Sequence, residues 1–138
     1  MRAAAGLAIA MLLAGCVSVD VDGVTTVCAS GLEPRATVDL YFGRNIGASL
    51  GVSDAEWAKF VDEEITPRFP NGLSVSDVAG QWKGGDGSIV REPSKAVMIV
   101  LSGEDGEYAR LDAIRDAYKA RFRQEAVMLV QRQACVGF

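Results

Sequence analysis

The sequence contains no histidine. Histidine is the commonest general base near neutral pH and a frequent zinc ligand, so its absence excludes Ser-His-Asp and Cys-His catalysis and the usual zinc sites. Acidic side chains outnumber basic ones by 18 to 14, and the net charge of −4 argues against nucleic acid as a partner. Since no metal-ligand or cofactor motif is visible either, we expect no cofactor and no metal.

Long hydrophobic runs are also scarce. The clearest one lies at residues 3–12, directly after the single charge of Arg2. It is too short to cross about 30 Å of hydrocarbon, which takes about 20 residues in a helix. Its length is instead typical of the hydrophobic region of a signal peptide. We therefore favour a signal peptide over a short membrane anchor.

The next four residues, Leu13-Ala14-Gly15-Cys16, place two small residues between a branched apolar residue and a cysteine. They resemble the lipobox of bacterial lipoproteins. The resemblance implies that residues 1–15 are a signal peptide and that Cys16 receives a lipid and becomes the first mature residue. The protein would then be anchored to a membrane lipid in the bacterial periplasm, and Val17 after the cysteine favours the outer membrane. The alternative is a plain secretory signal with an incidental cysteine.

Two cysteines remain after Cys16. Export would place Cys28 and Cys135 in an oxidising compartment, where pairing is the default. Removal of 15 of the 138 residues would leave 123, which is enough for one domain with its own core. Residues 16–36 lack helical or strand periodicity, so we interpret them as a lipid-anchored tether to a domain at residues 37–138.

Strand and helix patterns alternate along this domain. Ser53 and Glu56 form a capping-box signature at the start of the first helix, and Pro67 ends it. Glycine-rich residues 84–87 join two strands as a hairpin turn. The predicted elements are a strand at 37–43, a helix from 53 to about 66, strands at 73–83 and 88–101 with an interruption at Pro93, a helix at 107–122 and a strand at 126–135.

This order predicts an α+β fold of the ferredoxin-like βαββαβ type. Its four-stranded antiparallel sheet has the strand order 4-1-3-2, with two helices on one face. The order places the last strand beside the first, so Cys135 meets the start of the first strand, just beyond Cys28. We therefore predict a Cys28–Cys135 disulfide. The alternative is two free thiols.

Several short motifs are spread along the domain. They are Tyr41-Phe42-Gly43, Trp57 and Phe60, residues 66–73 (TPRFPNGL), Gly80-Gln81-Trp82, Arg91-Glu92 with Lys95, Tyr118 with Arg121-Phe122, and Cys135-Val136 with Phe138. With these motifs, residues 37–138 resemble the domain-of-unknown-function family 3574 (DUF3574), which comprises small bacterial exported proteins and lipoproteins. The resemblance supports the fold and the compartment and implies no activity.

Six polar or aromatic residues are candidates for ligand binding. They are Arg68, Gln81, Trp82, Arg91, Glu92 and Lys95. If they converge at one end of the sheet, Arg68 or Arg91 could hold a carboxylate or phosphate by two contacts, with Trp82 as an apolar wall. The structural alternative is that Arg68 satisfies carbonyls at the end of the first helix and that Arg91 pairs with Glu92. No catalytic residue is assigned.

Two functional classes remain open. The first is a non-enzymatic binding or interaction module, which could form a homodimer through the helix-free sheet face near Met98 and Met128. The second is a small dimeric enzyme of the α+β-barrel type, whose paired sheets enclose a pocket for a small molecule. Its candidate residues are Asp39, Tyr41, Gln81 and Arg91. The lack of a catalytic motif favours the first class.

Overall fold

The computed structural model describes residues 27–138. The predicted signal peptide, Cys16 and the first part of the predicted tether lie outside the described residues. The elements are β1 (Glu33–Gly43), β2 (Asn45–Ile46), β3 (Ser49–Leu50), α1 (Asp54–Phe60), a π-helical turn (Val61–Ile65), β4 (Ser74–Lys83), β5 (Ile89–Val100), α2 (Glu107–Phe122) and β6 (Met128–Val136). No helix within this range is long and apolar enough to cross a membrane.

The four long strands form one antiparallel sheet in the order β4-β5-β1-β6. If the short β2-β3 hairpin is left out and the four long strands are numbered 1 to 4 along the chain, their order in the sheet is 2-3-1-4. Read from the opposite edge, the same order is 4-1-3-2. β5 and β1 are the central pair, and this agrees with the apolar run at residues 96–101. The predicted α+β class, antiparallel sheet and two helices are confirmed.

Two strand boundaries differ from the prediction. β1 begins at Glu33, so the last residues of the predicted tether belong to the sheet. β5 continues through Pro93, where an interruption was expected. The carbonyl of Pro93 accepts from the amide of Arg44, so the missing N–H of this proline faces the side on which β1 has already ended at Gly43. Proline is tolerated where a strand has no ladder partner.

The first helix begins as the sequence predicts. The Ser53 hydroxyl accepts from the Glu56 amide at 3.2 Å, and the Ser53 amide donates to the Glu56 carboxylate at 2.8 Å, which completes the capping box. The helix widens into the π-helical turn before Pro67. The sequence pattern did not indicate this turn, because its apolar spacing differs little from that of an α-helix.

The core lies between the helices and one face of the sheet. Phe42 of β1, Trp57 and Phe60 of α1, and Tyr118 and Phe122 of α2 are buried and form an aromatic cluster with neighbouring ring centroids 4.8–6.0 Å apart. Such pairs add stability beyond the burial of their area. The opposite sheet face has no helix from the described residues on it, and we call it the open face.

The sheet has two distinct ends. At the proximal end, β1 and β4 begin while β5 and β6 end. At the distal end, β1 stops at Gly43 opposite Ser94, but β4 and β5 continue together to Lys83 and Ile89. Residues 79–93 therefore form a hairpin that extends beyond the rest of the sheet, and we call it the arm.

Candidate functional site

Four of the six candidate residues lie on the arm. Gln81 pairs with Arg91 across the hairpin, and Trp82 pairs with Val90. Because side chains alternate along a strand, Trp82 and Glu92 lie on the open face, whereas Gln81 and Arg91 lie on the other face of the arm. The predicted Arg91–Glu92 pair is absent from the ion pairs among residues 27–138.

Lys95 lies at the base of the arm and is buried. Its Nζ atom lies 2.6 Å from the Asp77 carboxylate and 3.3 Å from the Asp54 carboxylate. The hydrogen bond to Asp77 raises the pKa of Lys95, although burial opposes this change. Lys95 is therefore charged at neutral pH and links β4, β5 and the start of α1.

Arg44 forms a second buried cationic contact with the start of α1. One of its guanidinium nitrogens lies 3.0 Å from the Asp54 carboxylate, and its Nε atom donates to the Val52 carbonyl at 2.9 Å. The candidate residues predicted from the sequence did not include Arg44, Asp54 or Asp77. Of these contacts, only the one between Asp77 and Lys95 could have been predicted from the hairpin. Once the register of β4 and β5 is known, the two residues are cross-strand partners.

Glu92 crosses the open face to the end of β1. Its carboxylate accepts from the Asn45 amide at 3.3 Å and lies directly over Gly43, where a Cβ atom would be 2.6 Å from Glu92 Oε1. The Tyr118 hydroxyl donates to the Gly43 carbonyl at 2.8 Å. Gly43 is thus enclosed by polar groups from β5 and α2, and these contacts fix the distal end.

Arg68 lies apart from the other five candidates. It is at the proximal end, where its Nη1 atom donates to the Glu64 carbonyl at 2.7 Å and to the Glu64 carboxylate at 2.9 Å. The seven-residue step along β4 from Ser74, at that end, to Gln81 corresponds to about 23 Å. Convergence of all six residues is therefore wrong, and Arg68 satisfies a carbonyl at the end of the first helix, as the structural alternative proposed.

A cleft of about 760 Å³ opens at the proximal end. It lies between the loop after the π-helical turn, the end of β5 and the start of α2, and its charged lining residues are Arg35, Arg68, Glu104, Glu107 and Arg110. The Arg110 guanidinium stacks over the Phe69 ring at 5.5 Å and reaches Glu104 at 3.3 Å. Arg68 is the only predicted ligand-binding residue that lines this cleft.

Glu107 supports one wall of the cleft rather than presenting a free charge. Its carboxylate accepts from the Ser102 amide at 2.8 Å, the Ser102 hydroxyl at 3.0 Å and the Gly103 amide at 3.0 Å. Burial raises the pKa of Glu107, but these hydrogen bonds outweigh it, so the pKa lies below its usual range. The charged carboxylate holds the loop before α2 in place.

The open face combines apolar and charged side chains. Met98 and Met128 are exposed there, and Asp39 forms an ion pair with Arg132. Tyr41 shares this face by strand alternation. The residues proposed for an enzyme therefore divide between the two faces, because Gln81 and Arg91 lie on the other side of the sheet. Among residues 27–138, no group of acidic or cysteine side chains has the geometry to hold a metal ion.

The disulfide between Cys28 and Cys135 is confirmed and lies at the proximal end. Cys135 belongs to β6 and pairs in register with Pro34 of β1. The bond therefore fixes the segment before β1 against the end of β6, as strand order predicted.

Comparisons with known proteins place the domain in a family and a fold. The DUF3574 model, described as a protein of unknown function, matches residues 37–138. No curated protein sequence matches the chain. Among solved structures, a phage SAM lyase in complex with S-methyl-5'-thioadenosine is similar, with a TM-score of 0.59 and 15% identity over 84% of this chain and 97% of the lyase.

Two further solved structures share the fold. The apo state of the phage SAM lyase has a TM-score of 0.57 and 18% identity over 83% of this chain and 96% of the lyase. CutA from Synechococcus elongatus PCC7942 has a TM-score of 0.50 and 11% identity over 77% of this chain and 84% of CutA. At these identities the likeness shows the fold alone.

Proposed function

Because the chain belongs to the DUF3574 family, whose description assigns no activity, we propose its function from its anchor and its surfaces. It is a periplasmic lipoprotein, anchored through Cys16 to a bacterial membrane, and Val17 after the cysteine favours the outer membrane. Its ferredoxin-like domain is a non-enzymatic binding or interaction module. The lipobox-like residues 13–16 support the anchor. The arm and the open face support the binding role.

The relation between the two ends of the sheet carries this proposal. The chain enters the described domain at Val27, beside the disulfide at the proximal end. The arm leaves the domain at the opposite end. An anchor at Cys16 would therefore hold the proximal end near the membrane and direct the arm, with its exposed Trp82 and Ile89, into the periplasm. An isolated two-stranded hairpin is marginally stable in water, so a binding partner is expected to cover these side chains.

Cys16→Ala tests the anchor. Without the thiol that takes the lipid, the full chain should move from the membrane fraction to the soluble fraction while keeping its thermal transition. Two or more acyl chains give stable anchoring, so loss of all of them removes the main attachment. A mature wild-type chain whose mass shows no acyl chain on Cys16 would show that the lipid anchor is wrong, even if the apolar residues 3–12 kept the Cys16→Ala variant in the membrane fraction. Ser18→Ala is the matched control, because it changes a nearby polar residue and leaves both the lipid site and the disulfide intact.

The partner that we propose for the open face is a second copy of this chain. Trp82, Met98 and Met128 share this face and are exposed. Asp39 and Arg132 lie between apolar neighbours and supply charges of both signs, which a two-fold interface can match against themselves. The result would be a homodimer in which the two open faces cover each other.

Light scattering after gel filtration tests this dimer. Met98→Glu together with Met128→Glu should convert a dimer to a monomer, because two charges would then be buried at the interface. Tyr108→Glu is the control, since Tyr108 is as exposed but lies on α2. A wild-type protein that stays monomeric at high concentration would rule out the dimer, as would equal dissociation of the Tyr108 variant.

One observation favours a second candidate, a small enzyme acting on a small molecule. The phage SAM lyase shares the fold over 97% of its own chain, so a domain of this size can serve as an enzyme. Against this candidate, Asp39 and Tyr41 do not share a face with Gln81 and Arg91. Consumption of SAM by the purified chain, abolished by Tyr41→Phe and retained in Gln81→Ala, would favour the enzyme over the binding module, whereas a thermal shift with S-methyl-5'-thioadenosine and no turnover would favour the binding module.

A further inference from the structure

Three apolar side chains are exposed together at the proximal end. Val27 is 90% exposed, Leu32 is 41% exposed, and Phe138 is fully exposed. We call these three residues the apolar patch. Exposed apolar side chains are common one at a time, but a group from two chain segments at one end of a domain indicates a contact surface.

The chain holds the apolar patch in a defined arrangement. The disulfide joins Cys28, next to Val27, to Cys135 near Phe138. Leu32 closes a turn by donating its amide to the Ala29 carbonyl at 3.1 Å. The Leu32 side chain packs over Gly137, where an added Cβ would lie only 2.7 Å from Leu32 Cδ2. The disulfide and the turn therefore keep the segment that carries Val27 and Leu32 beside the segment that ends in Gly137 and Phe138.

We propose that the apolar patch inserts into the surface of the membrane that carries the lipid anchor. This inference rests on the proposed function, since it needs lipid on Cys16. Ten residues separate Cys16 from Val27, and a fully extended chain of this length reaches at most about 40 Å. The chain outside the described residues thus ends inside the patch. Val27 and Leu32 are therefore close to the anchor along the chain, and the disulfide brings the segment of Phe138 to the same end of the domain.

The charges around the patch indicate an apolar contact rather than an electrostatic one. Arg35 is paired with Glu33 at 2.5 Å, and Arg110 is paired with Glu104 at 3.3 Å. Because each of these arginines is paired with a carboxylate, neither presents a free charge to anionic headgroups. Aromatic and aliphatic side chains at such a surface would enter the boundary between headgroups and acyl chains, and salt would have little effect on them.

Tryptophan quenching in proteoliposomes tests this contact with the full lipidated chain. Phe138→Trp in a Trp82→Phe background places the reporter in the patch. The wild-type protein has its exposed reporter at Trp82 on the arm, and Trp57 is buried in both proteins. In phosphatidylcholine vesicles brominated on their acyl chains, the patch reporter should be quenched at least twofold more than the arm reporter. The quenching should not change between low and high salt.

A second pair of variants confirms that the side chains themselves make the contact. Leu32→Ser should reduce the quenching of the patch reporter at least twofold. Leu50→Ser, an equally large change at an exposed leucine near the distal end, should leave it unchanged. Equal quenching of the patch and arm reporters would overturn the membrane contact, as would equal effects of the two leucine changes.

The mass of the mature chain distinguishes failure of the membrane contact from failure of the proposed lipid anchor. If Cys16 carries no acyl chain, the proposed anchor itself is wrong. If Cys16 is acylated and the patch reporter remains unquenched, the anchor stands and the membrane contact alone is overturned.

Discussion

Cys28 and Cys135, which are 107 residues apart in the sequence, are joined by a disulfide with their Cα atoms 5.5 Å apart. A bond that closes a loop of this length removes much of the conformational freedom of the unfolded chain, although part of the effect is enthalpic. It also fixes the proximal end, where the chain enters the domain. The stability of that end therefore depends on an oxidising compartment.

Replacing both cysteines by serine should lower the free energy of unfolding by about 2–5 kcal/mol. Urea denaturation followed by circular dichroism measures the change. Wild-type protein treated with a reductant should unfold at nearly the same midpoint as the double variant, and the reductant should not affect the variant. If the oxidised wild type and the double variant share one midpoint, the disulfide does not stabilise the fold.

Lys95 should contribute more through its aliphatic stem than through its charge. Asp77 and Asp54 are exposed and can be hydrated again when the ammonium group is removed. Lys95→Met keeps the buried stem and should cost less than about 1 kcal/mol. Lys95→Ala also removes the stem and should cost about 1–3 kcal/mol. Equal losses in urea denaturation would show that the ion pairs dominate instead.

The pH dependence of the Lys95 contribution follows from its raised pKa. A raised folded-state pKa gives stability that is fully present below the ordinary value of 10.5 and is lost as the pH rises through the folded-state value. The difference between wild type and Lys95→Met should therefore be constant from about pH 6 to about pH 9. A difference that changes within this range would assign the titration to another group.

Glu107→Gln should destabilise the loop before α2. The buried carboxylate accepts three hydrogen bonds as an anion, and such bonds contribute about 1–3 kcal/mol when one partner is charged. Its lowered pKa means that this stability is present above the ordinary value of 4.5 and is lost as the pH falls through the folded-state value. The gap between wild type and variant should therefore be full at neutral pH and should close in acid.

Thermal denaturation over a pH series measures this gap. Glu104→Gln is the matched control, because Glu104 lies in the same loop with an exposed carboxylate. It should change the melting temperature little at any pH. A Glu107→Gln variant that loses as much stability at low pH as at neutral pH would show that the charge is not responsible.

Local sequence signals predicted most of the fold. The capping box at Ser53 and Glu56 and the helix at residues 107–122 depend on residues three or four positions apart, so both could be predicted and both are confirmed. The Cys28–Cys135 pairing was predicted from the strand order, and the strand order was itself inferred from the local strand and helix patterns.

The candidate site was less predictable, because it depends on where separate elements meet. Arg68 and Lys95 have similar sequence contexts near turns, but Arg68 folds back on its own helix and Lys95 is buried between three elements. Arg44 lies in a glycine-rich loop with no periodicity, and its burial is decided by contacts with Val52 and Asp54. The length of the arm also depends on which residues of β5 pair with the end of β1, and no local pattern indicates that register.

Gly43 and Glu92 should be coupled, since the Glu92 carboxylate occupies the space of an alanine side chain at position 43. Gly43→Ala should cost about 1 kcal/mol by displacing this carboxylate from the Asn45 amide. Glu92→Ala alone should cost a similar amount through loss of the same contact. In the double variant the clash disappears, so its loss should be clearly smaller than the sum of the two single losses. Urea denaturation of the four proteins measures the coupling, and strictly additive losses would show that the two residues do not share this space.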